Sequence, residues 1–190
     1  MHRGDALVGI VGGFTYGTDP TSKYENQGGP GIVQIVSLLR RNSSNVEEDV
    51  LSFLDAIALN WLIAGTDAHA KNYAILLGAE GAARLAPLYD LASVLPYRSI
   101  DLNKAKLAMK LGGEYRLRNI RERNWRRLAA DVRIPVDALV ERVKSMAAAV
   151  PEHTEAIEKK LADEGLSHSL IVALARKLRE RARLCQAVFE

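Results

Sequence analysis

The sequence predicts a mainly helical α+β domain, a series of amphipathic helices with one small β-hairpin set among them. Three observations carry that prediction. Apolar residues return at helical spacing in the first half of the chain and through its last third. Between these stretches lie two short apolar runs separated by a glycine-bounded turn, the pattern of a hairpin. A chain of 190 residues with 48% hydrophobic and 26% charged side chains has the length and balance of one globular domain.

Taken in order, the chain opens on Gly9-Ile10-Val11-Gly12-Gly13-Phe14-Thr15-Tyr16-Gly17, which is glycine-rich but lacks the G-x-G-x-x-G spacing of a phosphate-binding loop. No strand is predicted there, so residues 1–22 are expected to form an atypical, poorly ordered terminus. Ser44 with Glu47 reads as a capping box, and Val50, Phe53, Leu54, Ile57 and Trp61 form an apolar stripe, giving a helix over 45–64 that stops at Gly65. Tyr73-Ala74-Ile75-Leu76-Leu77, a turn from Gly78 to Gly81 and a second run from Arg84 to Tyr89 give the hairpin. A further helix carries Trp125 and Leu128 on its buried side. Pro135 opens a helix through Val150, Pro151 is expected to break it, and a second helix runs from Glu152 to Glu164 before Gly165. Ser167 is expected to cap a last helix with Leu170, Ile171, Leu174, Leu178 and Ala182 facing inward.

The chemistry concentrates after the first long helix. Gly65-Thr66-Asp67-Ala68-His69-Ala70-Lys71-Asn72 places an Asn five residues after an Asp, and the hairpin ends on Asp90. In protein kinases a loop Asp takes the acceptor hydroxyl proton, an Asn five residues on holds one metal ion, and an Asp beyond the next hairpin holds the other. A transferring phosphoryl group spreads negative charge over its oxygens, so its catalyst needs a positioned base and hard cations rather than a covalent nucleophile. Mg²⁺ takes oxygen ligands, and one Asp with one Asn suffices when nucleotide phosphates supply the rest. A lone Thr-Asp after a helix is ordinarily a cap or turn. The combined spacing is what points to chemistry.

Thr66-Asp67-Ala68-His69-Ala70-Lys71-Asn72, Leu85-Ala86-Pro87-Leu88-Tyr89-Asp90-Leu91, the upstream Lys23-Tyr24-Glu25-Asn26-Gln27-Gly28-Gly29-Pro30-Gly31, and downstream Leu107-Ala108-Met109-Lys110-Leu111-Gly112-Gly113-Glu114-Tyr115 with Trp125 together resemble the C-terminal domain of HipA-type serine/threonine kinases, the toxins of bacterial toxin–antitoxin pairs. The resemblance implies a protein-kinase-like large lobe over 23–190, with a catalytic segment at 23–113 and a helical bundle at 114–190. It implies ATP and Mg²⁺ as cofactors, Asp67 as catalytic base, and Asn72 and Asp90 as metal ligands. His69, Lys71 and Tyr89 would then line the phosphate side of the cleft. The residues themselves leave alternatives: His69 as a partner of Asp67, Lys71 as a solvated charge, Tyr89 as a core ring. Only 22 residues precede Lys23, so the small lobe with its phosphate-pairing lysine is expected to be absent, and a separate polypeptide could supply it. A catalytically inactive remnant that binds an antitoxin or nucleic acid is the alternative reading. An aminoglycoside-kinase-like enzyme shares the acidic logic but not the His-Ala-Lys-Asn and Pro-Leu-Tyr-Asp wording.

Charge is uneven along the chain. Residues 98–133 carry 11 basic and 4 acidic side chains, against 6 and 10 before them and 9 and 9 after. Arg116, Arg118, Arg121, Arg123, Arg126, Arg127 and Arg133 could meet DNA phosphates, or form a solvated face with internal ion pairs. The family implies a DNA-binding, HipB-like antitoxin as partner and a protein hydroxyl as substrate. The single Cys185 excludes an intramolecular disulfide framework. With no long apolar run or convincing signal peptide, the expected location is the cytoplasm, away from membranes. His153 and His168 lack partners at metal-ligand spacing, which argues against a zinc site.

Overall fold

A computed structural model describes the backbone of residues 7–10 and all of residues 23–190. It is a mainly helical α+β domain with two small antiparallel sheets. The glycine-rich residues after Ile10, and most of the terminus expected to be poorly ordered, lie outside the described residues. Leu7–Ile10, for which no strand was expected, forms β1 and pairs antiparallel with β2 (Ala74–Leu77), whose other edge takes β3 (Ala83–Leu85). The physical reason is non-local: Leu, Val and Ile favour a pleated edge, and β2 offers one.

Helix α1 (Ile32–Asn42) has no counterpart among the expected elements, although Ile32, Ile35, Val36 and Leu39 recur at helical spacing and are all buried. Helix α2 (Val46–Ile63) runs through the centre of the core. All five residues of its predicted stripe are buried, and so are Ala56, Ala58 and Leu62 on its other sides. Its start differs in detail. Asn45 is the N-cap without a side-chain cap bond, and the Ser44 hydroxyl accepts from the Ala83 N–H at 3.0 Å. Ser44 joins the helix to β3 instead of capping it.

The second sheet, β4 (Lys106–Leu111) with β5 (Glu114–Arg116), was not foreseen. Its turn residues Gly112 and Gly113 have φ of 52° and 91°, as a two-residue primed hairpin turn requires. A Cβ on Gly112 would stand 2.0 Å from the Asn124 carbonyl oxygen, so β4 can lie this close to α3 (Glu122–Asp131) only with glycine there. Trp125 of α3 meets Trp61 of α2 edge-on at 5.3 Å, and both are buried; burying each large ring contributes about 1.5–3 kcal/mol.

Pro151 does not break the chain's longest helix. α4 runs unbroken over Val136–Asp163 with Pro151 inside it. Proline removes the N–H that would bond the Ala147 carbonyl. Here Gln186 Nε2, at the end of α5 (Ser169–Gln186), donates to that carbonyl at 2.9 Å. The N-cap of α5 is His168, whose ring accepts from the Leu170 N–H, so Ser167 is not the cap. Leu170 is 49% exposed rather than inward, whereas Ala175, Ala182 and Cys185 are buried and Leu174 and Leu178 pack against the core. No described helix is long and apolar enough to cross a membrane.

Candidate active site

The site grows from the C-terminal end of α2. Arg181 of α5 donates through Nε and Nη2 to the Trp61 carbonyl at 3.1 and 2.6 Å, and the Ser93 hydroxyl donates to the Ile63 carbonyl at 2.6 Å. These bonds satisfy carbonyls that a helix end leaves open, and they anchor the loop that follows. Ala64 turns left-handed with φ 55° and ψ 47°. At Gly65 a Cβ would come within 2.2 Å of Asn60 Oδ1 and 3.2 Å of the Ala92 carbonyl, so a side chain there would displace the Asn60 amide.

Asp67 follows on this anchored loop, and its side chain is 61% exposed. The Asp67 carbonyl accepts from the His69 N–H at 2.8 Å and the His69 carbonyl from the Asn72 N–H at 3.0 Å. This tight winding carries the chain inward, so that Asn72 is buried at 5% exposure. Asn72 Nδ2 donates to Asp90 Oδ2. The other amide atom, Asn72 Oδ1, is buried without a hydrogen-bond partner. Asp90 has φ 56°, a left-handed conformation that Asp tolerates better than most residues and that recurs at functional sites.

His69 sits at 8% exposure with Nε2 4.0 Å from Asp67 Oδ1 and Nδ1 unpartnered. Burial, reinforced by the nearby Lys23 charge, holds its imidazole below the usual histidine range despite Asp67 and Asp90. It is therefore neutral near pH 7. Lys71 is half-buried and its carbonyl accepts from the Tyr89 hydroxyl at 2.7 Å. The Tyr89 ring is 44% exposed, so the alternative of a core ring does not hold. Burial and the neighbouring Asp90 raise its phenol pKa.

Two residues that sequence reasoning left without a role also reach Asp67. The Tyr24 hydroxyl donates to Asp67 Oδ1 at 2.5 Å, and Lys23 Nζ stands 3.7 Å from the same oxygen. The Tyr24 ring meets His69 edge-on at 5.4 Å. Their segment is held by Glu25, which accepts from the Lys110 N–H at 2.5 Å and packs against Gly31, where a Cβ would lie 2.6 Å from the carboxyl carbon. The motif beginning at Lys23 was the available signal, but nothing local ties it to Asp67.

An exposed carboxylate and a pair of hard oxygen donors thus share one loop and hairpin. The unpartnered Asn72 Oδ1 beside the Asp90 carboxylate fits a hard divalent cation whose remaining ligands come from water or phosphate. Of the basic segment, Arg121 donates to the carbonyls of Arg118 and Ile120, Arg126 pairs with Glu122 and Asp137, and Arg127 with Asp131. Much of its charge is spent within the molecule.

Comparison with known proteins agrees with this architecture. Residues 13–154 match the HipA-like C-terminal domain model, and the chain belongs to that family. A Sinorhizobium fredii protein named "Putative kinase Y4mE" is 30% identical over 168 residues, 88% of this chain and 39% of the relative. The fold is also that of a chain in the Shewanella oneidensis toxin–antitoxin complex of HipA, HipB and operator DNA, with a TM-score of 0.69 and 22% identity over 82% of this chain and 36% of that one. The chain thus spans well under half the length of both relatives. The family match begins ten residues before Lys23 and ends before α5.

Proposed function

We propose that this chain is the catalytic lobe of a HipA-like serine/threonine protein kinase that transfers a phosphoryl group from ATP to a protein hydroxyl. The observation that carries the reading is the Asn72–Asp90 pair, with Asn72 Oδ1 buried and unpartnered on the loop that presents Asp67. Asn72 and Asp90 would hold Mg²⁺, which when bound offsets the charge developing on the transferring group. Asp67 orients the acceptor hydroxyl and takes its proton. Neutral His69 keeps a like charge away from the Lys23 ammonium and leaves its ring nitrogen available on the nucleotide side. Lys71 and Tyr89, tied to each other, border the phosphates.

The partners follow from the family and from the Shewanella complex. A HipB-like antitoxin and operator DNA are the proposed assembly, with the exposed arginines of 118–133 that remain outside internal pairs as the DNA contact. The setting is the cytoplasm, and the segments that complete the relatives' lengths would supply the rest of the nucleotide cleft.

A thermal-shift titration with ATP and Mg²⁺ tests the reading, because a ligand that binds only the folded state raises its stability by mass action. The expected result is a shift in the wild type and in Asp67→Ala that is lost in Asp90→Ala. Equal shifts in wild type and Asp90→Ala would remove the metal assignment.

A further inference from the structure

Beside Asp67 lies an open groove of about 320 Å³, within the size range of ligand sites, that the phosphate chemistry above does not use. Tyr24, Asn26, Gln27, Thr66, Lys106 and Tyr115 are among the residues lining it. Tyr24 reaches Asp67 through its hydroxyl and Thr66 precedes Asp67 in the chain, so the groove opens next to the candidate base.

The charge of this groove is arranged unfavourably for the free molecule. Lys106 and Arg116 stand directly opposite each other in the β4–β5 pair, and both are exposed. Like charges opposite one another weaken a sheet. Lys106 has no ion-pair partner among the described residues, and Arg116 has only the electrostatic influence of Glu114. Neighbouring groups are already engaged: Lys104 with Asp101 at 3.9 Å, Lys110 over the Tyr115 ring at 5.5 Å, and the Glu25 carboxylate on the Lys110 N–H. Lys106, a lining cation without an ion-pair partner among the described residues, and Arg116 across from it on β5, beside a groove lined by side-chain amides and phenols, are suited to a carboxylate on an extended chain.

We infer that this groove binds the acceptor segment of the protein substrate and selects one with an Asp or Glu beside the acceptor hydroxyl. Lys106 and Arg116 hold the carboxylate, and the amides of Asn26 and Gln27 hold the peptide backbone. The assignment of the bound chain as an acceptor rests on the kinase reading; the anionic preference of the groove does not.

Fluorescence anisotropy with the full 190-residue chain tests it, using a labelled serine peptide flanked by two glutamates and its glutamine twin. The acidic peptide is expected to bind about tenfold tighter, the size two partly exposed ion pairs can supply. The preference should vanish in the double variant Lys106→Ala/Arg116→Ala and turn toward a lysine-flanked peptide in Lys106→Glu/Arg116→Glu. Both positions are exposed, so circular dichroism should show the fold retained, and Lys106→Gln alone should give an intermediate preference. Equal affinity for the twins overturns the inference, as does a preference that survives charge reversal, or tighter binding of an oligonucleotide of equal charge that Lys106→Glu/Arg116→Glu abolishes. An ATP–Mg²⁺ thermal shift on the same samples separates the two claims. A shift without peptide preference removes the groove alone, and a preference without a shift removes ATP binding by this lobe on its own while the anion-binding groove stands.

Discussion

Asp49 and Asp67 stand at opposite ends of the same helix and live in opposite electrostatic settings. Asp49, in the first turn of α2, is 2% exposed and fully engaged. It accepts from Arg84 Nε at 3.0 Å, the Leu85 N–H at 2.7 Å and the Ser43 hydroxyl at 2.6 Å. Past the other end, Asp67 is exposed, and around it Asn60 Oδ1, His69 Nδ1 and Asn72 Oδ1 are buried without partners. Buried polar atoms are ordinarily hydrogen-bonded, so two orphans on the loop and a third in the last turn of the helix before it mark a place arranged for something other than stability. A saturated carboxylate holds a strand to a helix, whereas Asp67 is met by Tyr24 and Lys23 and keeps much of its surface in solvent.

The comparison can be broken at several points. The largest effect is expected at the open end: Asp67→Asn should lower phosphoryl transfer about a hundredfold or more while leaving the melting temperature near wild type, as general-base loss requires. A melting temperature that falls with the activity would make Asp67 structural. At the closed end Asp49→Ala should lower unfolding free energy by about 2–3 kcal/mol in urea melts, since it strands buried donors. An unchanged midpoint would mean that the network contributes nothing. Gln186→Ala should cost about 1 kcal/mol by leaving the Ala147 carbonyl open beneath Pro151; a neutral effect would assign the unbroken helix to packing alone.

A smaller effect concerns pH. Because the folded His69 is held below the usual range, the unfolded chain binds a proton near pH 6.5 that the folded chain refuses. The stability that the neutral ring contributes is complete above that pH and is lost as pH falls through the folded value. Wild type should therefore lose stability as pH falls below about 6.5, and His69→Gln should lose less; identical pH profiles would place His69 in a solvated setting. The smallest signal is that of Cys185, whose thiol burial pushes up to about 11, so a thiol reagent at pH 8 should label it only as fast as the protein opens.

Much of the helical frame was legible because its signals are local. The stripe from Val50 to Trp61 predicted α2 to within a residue or two, and the paired apolar runs predicted β2 and β3. Helix α1 and the Gly112-Gly113 hairpin had equally local signals that the reading passed over. Ser44 and Ser167 were assigned as caps on pattern alone, but Ser44 bonds across to Ala83 and His168 caps α5. A hydroxyl at a helix start satisfies the cap pattern whether or not a better partner approaches from elsewhere.

By itself, the sequence determined the helical periodicities, the five-residue spacing of Asp67 and Asn72, and the family to which the chain belongs. Those features are written between residues close in the chain. Only the tertiary structure decided that Pro151 stays helical, that β1 adds to the hairpin, and that Lys23 and Tyr24 converge on Asp67. Each of these depends on a hydrogen bond or charge supplied by a residue tens of positions away, and local propensity cannot report a partner that arrives only when the chain has closed on itself.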